Sequence, residues 1–149
     1  MTALGDFSSG DVLTAADLNA IGTWTSFTPS FSNFTLGNGT VDYSRYSRIN
    51  DVVHVELLVT LGSTSSMSTG PTFTLPVSTS KTQLTVGVGR ARVGGSFYWT
   101  YPYTISNECG MYVVGTSSTY ATRQTIGAST PTSWGSNDDF QLSFTYSVA

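Results

Sequence analysis

The chain has little charge. Lys, Arg, Asp and Glu make up 10% of its 149 residues, against about 25% in an ordinary globular domain. It has one cysteine, Cys109, and one histidine, His54. A single cysteine excludes an internal disulfide. Set among Glu108, Gly110, Met111 and Val113, it reads as a buried strand thiol rather than a nucleophile. A single histidine leaves little choice of base for a nucleophilic serine, and no Gly-x-Ser-x-Gly elbow occurs. Asp51 and Glu56 lie near His54, but a metal site gathers three or more ligands and no second histidine is present. His54 therefore reads as a surface or interface residue. No apolar run approaches the ~20 residues of a membrane span, and the N-terminus lacks the basic and apolar stretches of a secretory signal. Synthesis in a cytosol is the default expectation.

Basic residues are absent from positions 1–22, which carry Asp6, Asp11 and Asp17. Residues 23–149 hold six acids and six bases, so all the excess charge sits in the first segment. With no basic stripe, nucleic acid is excluded as the expected partner. The same segment holds the one convincing helix signature. Thr14 fits the N-cap, Asp17 completes an approximate capping box, and Leu13 and Leu18 can form a hydrophobic staple. Gly22 is placed to end the helix in a left-handed conformation. These signals predict a helix over 15–21 and an N-terminal arm over 1–22. A helix this short does not stand alone in water. Leu13, Asp17, Leu18 and Ile21 are thus the candidate anchoring residues, and their partner should offer an apolar groove with a basic rim.

What is abundant is strand chemistry. Ser and Thr hydroxyls replace charges, and 8 Phe, 8 Tyr and 3 Trp supply the material of a packed core. Turn signals recur every 8–14 residues from Trp24 onward, including Gly37-Asn38-Gly39, Gly94-Gly95 and Gly135-Ser136-Asn137. Between them the period is two. Val53, Val55, Leu57, Val59 and Leu61 alternate with more polar neighbours, as do Phe140, Leu142, Phe144 and Tyr146. Leu84, Val86 and Val88 predict a third strand with its apolar side on those residues. Weaker strands are expected near 24–28, 40–49, 71–76, 96–105, 109–114 and 120–126. The predicted fold is all-β: eight or nine antiparallel strands over 23–149 forming a two-sheet jelly-roll sandwich, with the C-terminal strand central.

Several patterns invite a chemical reading and carry a plainer one. Gly87-Val88-Gly89 lacks the third glycine and following helix of a dinucleotide loop. Asn137-Asp138-Asp139 could hold calcium, but three adjacent turn residues are common. Asn33-Phe34-Thr35 and Asn38-Gly39-Thr40 match the glycosylation pattern and read as turns. A hydrolase would need Glu56 and Glu108 to form a carboxylate pair. No metal, cofactor or catalytic residue is expected. The densest aromatic run is Phe97-Tyr98-Trp99-Thr100-Tyr101-Pro102-Tyr103. Half of it should face the core. Phe97, Trp99, Tyr101 and Tyr103 are the candidates for a subunit or glycan contact.

From Trp24 onward the chain resembles a module of tailed-bacteriophage virion proteins. The matching text is Trp24-Thr25-Ser26-Phe27-Thr28-Pro29, Leu36-Gly37-Asn38-Gly39-Thr40, Tyr46-Ser47-Arg48-Ile49 before Val53-His54-Val55, Leu61-Gly62-Ser63, Leu75-Pro76-Val77, and Pro131-Thr132-Ser133-Trp134 before Asp138-Asp139. The segment Phe7 to Ala20 is similar to the entry segment of phage fibre-type proteins. Such modules resemble trimeric jelly rolls of the tumour-necrosis-factor and complement-C1q type. The resemblance implies a homotrimer at a virion surface, made in a bacterial host's cytoplasm and attached to a capsid or tail protein through residues 1–22. It implies no catalytic residues. Capsid decoration, cement or head-fibre protein is the first placement. A short tail-fibre or minor tail protein binding host glycans is the second.

Overall fold

The computed structural model describes residues 12, 14, 15, 19, 21–82, 86–115 and 121–148. Ten strands follow one another: β1 Thr25–Ser26, β2 Phe31–Thr35, β3 Thr40–Ile49, β4 Val52–Thr60, β5 Ser66–Thr74, β6 Gly87–Val93, β7 Ser96–Ile105, β8 Glu108–Gly115, β9 Thr122–Thr125 and β10 Asp139–Ser147. All pairings are antiparallel. They form one sheet in the order β1-β3-β4-β10-β6-β7-β8-β5-β2, with β9 beside β8. The sheet curls on itself into a jelly-roll-like sandwich. The C-terminal strand is central, between β4 and β6.

The core follows from the period of two. Val53, Val55, Leu57 and Val59 of β4 are fully buried, and Phe140, Leu142, Phe144 and Tyr146 of β10 lie beside them. Rings join the layers: Phe34 of β2 meets Phe140 edge-on at 5.9 Å, and Phe73 of β5 meets Phe144 at 6.2 Å. Such pairs contribute about 1 kcal/mol each beyond their buried area.

Two expectations are corrected. In β6 the buried positions are Ala91 and Val93, while Val88 faces outward beside Arg90 and Arg92. The inner face carries Gly87 and Gly89 because β10 leaves no room. A Cβ on Gly89 would stand 2.4 Å from the Gln141 carbonyl oxygen and 2.5 Å from Leu142. β2 lies in a stretch with no strand expected, and β5 begins five residues before the expected start at 71. The expected helix over 15–21, with Leu13, Asp17 and Leu18, falls largely outside the described residues. Ile21 and Gly22 form a turn, and Gly22 takes a left-handed φ of 72°. Among the described residues no helix is long and apolar enough to cross a membrane.

Candidate functional site

β7 is the corner strand of the sheet. Its first half, Thr100 back to Ser96, pairs with β6 over Gly89–Val93. Its second half, Thr100 to Ile105, pairs with β8 over Glu108–Val113. Tyr98, Thr100, Pro102 and Thr104 point inward, and Phe97, Trp99, Tyr101 and Tyr103 share the outer face. Among the described strands only β6 pairs with the first half, and Phe97 and Trp99 are 67% and 71% exposed. Tyr101 and Tyr103 have β8 beside them and are half-buried. The expected division of the aromatic run is therefore present, and all four candidate contact residues stand in one row.

Polar groups flank this row on both sides. On β6, Arg90 lies directly across from Trp99 and Arg92 across from Phe97. The Arg90 Nε donates to Gln141 Oε1 at 3.1 Å, and Gln141 Nε2 donates to the Tyr43 hydroxyl at 2.6 Å. The Arg90 guanidinium sits 5.3 Å from the Phe97 ring centre. Arg92 pairs with Asp139 at 2.7 Å, with Arg90 behind it at 3.6 Å. On the other side Tyr103 and Tyr112 stack at 4.3 Å, and Arg123 of β9 lies over Tyr112 at 4.2 Å. Tyr103 lies flat over Gly110, where a Cβ would stand 2.5 Å from its ring. Burial, and then the hydrogen bond with Tyr112, push the Tyr103 phenol up to about 12. Arg90, Phe97, Tyr98 and Trp99 line a shallow depression of about 300 Å³.

At the other end of the outer face lies the seam with the arm. Trp24 is clasped by Arg45, whose guanidinium is 4.5 Å from the ring centre, and by the edge of His54 at 5.6 Å. Arg45 is held by Glu56 at 2.6 Å. His54 shares a hydrogen bond with Thr145 at 2.9 Å. Of the candidate anchoring residues, Ile21 is described and exposed; Leu13, Asp17 and Leu18 lie outside the described residues.

The remaining chemical candidates are structurally committed. Cys109 is buried, and burial pushes its thiol well up. Glu56 pairs with Arg45, and Glu108 accepts from the hydroxyls of Ser32 and Thr72. β10, β6 and β7 lie between their strands, so they form no carboxylate pair. Asp138 accepts from the amides of Gly94 and Gly135, and Asp139 faces the two arginines. Among the described residues no three His, Cys, Asp or Glu side chains gather as metal ligands. Asn38 ties its turn to the 63–64 loop through Ser63 and Thr64, and Asn33 donates to Gly70. The arginine flank of the aromatic row was missed from sequence. Arg123 lies 20 residues beyond Tyr103 along the chain, and only the β8–β9 pairing brings it near.

No protein-family model matches the chain, and no curated protein or solved structure is detectably similar to it.

Proposed function

We propose that this chain is a non-enzymatic surface module of a bacteriophage virion, a homotrimer carried on the particle through residues 1–22. The observation that carries the reading is the row of outward aromatics on β7. Large rings exposed on a rigid strand suit a contact surface, and the groups around them are bound to each other instead of being poised to react. The Trp24 clasp supports the second part. A load on the arm would pass through Trp24 and Arg45 into β3 and β4, and from β4 into the central strand β10. The phage setting comes from the short motifs quoted above. A capsid decoration, cement or head-fibre protein is the first placement. A short tail-fibre or minor tail protein is the second, favoured by the rings and arginines that a glycan would meet.

Deleting residues 1–22 tests the attachment. The truncated protein should remain a folded trimer by light scattering and circular dichroism, yet be missing from purified particles. A truncated protein incorporated at normal occupancy would overturn the reading.

A further inference from the structure

The outer face of β6–β9 differs in charge from the rest of the protein. The chain carries a formal net charge of −3. Here Arg90, Arg92 and Arg123 surround the aromatic row, and one carboxylate, Asp139, answers the first two. Arg123 has no carboxylate partner among the described residues. Glu108, at the start of β8, adds a second carboxylate to the face, held by the hydroxyls of Ser32 and Thr72. The face is thus a cationic, aromatic surface on an acidic protein. Packing it against its own copy about a two-fold axis would set arginine against arginine, because such a contact joins the same patch on each subunit.

The row also has length. Phe97, Trp99, Tyr101 and Tyr103 stand two residues apart, so the four rings span about 20 Å at roughly 3.3 Å per residue. That is a track for a polymer rather than for one small molecule. Its rings offer flat apolar faces with hydroxyl edges. Arginines on both flanks offer planar, multidentate recognition of carboxylate or phosphate groups. We propose that this face binds an acidic polysaccharide, its sugar rings on Trp99 and Phe97 and its charged groups on Arg90 and Arg123. A nucleic acid carries a charge on every residue and draws its affinity from many cationic contacts. Three arginines set against two carboxylates on an acidic chain fall short of that. The inference rests on the reading of the aromatic row as a contact surface, not on particle attachment.

The test is a glycan array carrying uronate-, sialate- and phosphate-substituted chains beside their neutral counterparts, with single-stranded DNA and poly-glutamate as further spots. The full-length protein should bind acidic glycans and not their neutral counterparts. Trp99→Ala and Arg123→Glu should each lower that binding about tenfold, the equivalent of 1.4 kcal/mol, with unchanged melting temperature. Trp99→Ser combined with Tyr101→Ser should abolish it while light scattering still reports a trimer. Equal binding to neutral chains, binding only to DNA or poly-glutamate, or no binding would overturn the proposal. Monomers from the double substitution would reassign the row to a subunit contact. None of these outcomes bears on whether deletion of residues 1–22 removes the protein from particles, so the two claims fail separately.

Discussion

Tyr146 shows how much one side chain can hold in this fold. Its ring is buried in the core, while its hydroxyl donates to the Val77 carbonyl at 2.7 Å and accepts from the Val77 amide at 3.2 Å. It therefore ties the 75–82 connection to the central strand. Tyr146→Phe should lower stability by about 1–3 kcal/mol in denaturant titration, because Val77 loses its partner. Burial also pushes this phenol up to about 12 from its usual 10. The folded state thus keeps the proton longer than the unfolded chain does. The resulting stability is whole below pH 10 and is lost as pH rises through 10 to 12. Melting temperature should fall over that window, and less steeply in Tyr146→Phe. The Thr104 hydroxyl shows the reverse case: it is fully buried with no hydrogen-bond partner among the described residues. Thr104→Val should raise stability by about 1 kcal/mol, since a methyl group needs no partner there. A fall of that size would mean that the hydroxyl is satisfied. Gly89→Ala should cost about 1–3 kcal/mol or more, because the added carbon meets the β10 backbone.

At the scale of elements, β4 and β10 were legible because a buried face and a more polar face alternate without interruption. β2 was not, and its bulge is the reason. The register shifts between Ser32 and Phe34, and Asn33 takes a φ of 56°. Phe31 and Phe34, three apart, both turn inward and meet edge-on at 4.9 Å. A period of two cannot reveal such a strand. In β6 the inner face is Gly87, Gly89 and Ala91 until Val93 at its end, so the first large apolar residue, Val88, points the wrong way for a pattern reader. In β7 the alternation marked Phe97, Trp99, Tyr101 and Tyr103 as the outward half, but it did not show the change of partner at the corner. Small Thr100 and Thr104 go inside and the larger rings outside, because the corner changes partners at Thr100. Asp138 belongs at this scale too. It joins the β6–β7 turn, through the Gly94 amide at 3.0 Å, to the turn before β10, through the Gly135 amide at 2.7 Å. Asp138→Ala should remove about 2 kcal/mol of stability. Amide exchange should accelerate at Gly94 and Gly135 first; uniform acceleration across the sheet would argue against a local tie.

For the whole molecule, the proposed division between arm and sandwich falls beside a ring held on the sheet. Among the described residues, Trp24 is the first large side chain clasped on the sheet, by Arg45 and His54. Three uncompensated aspartates precede it and a formally neutral module follows. The two ends of the outer face then suit different partners. Under the proposed function, the acidic residues 1–22 meet a particle protein, and the β6–β9 side presents rings and arginines to what approaches from outside. This arrangement gives the account its central claim, that the chain is a component of a virion surface. Electron microscopy of purified particles with a labelled antibody against residues 23–149 tests that claim most directly. The account predicts label at regular positions on the capsid or tail, with the number of copies per particle distinguishing the two. Particles without label, with all the protein recovered free in the lysate, would contradict it.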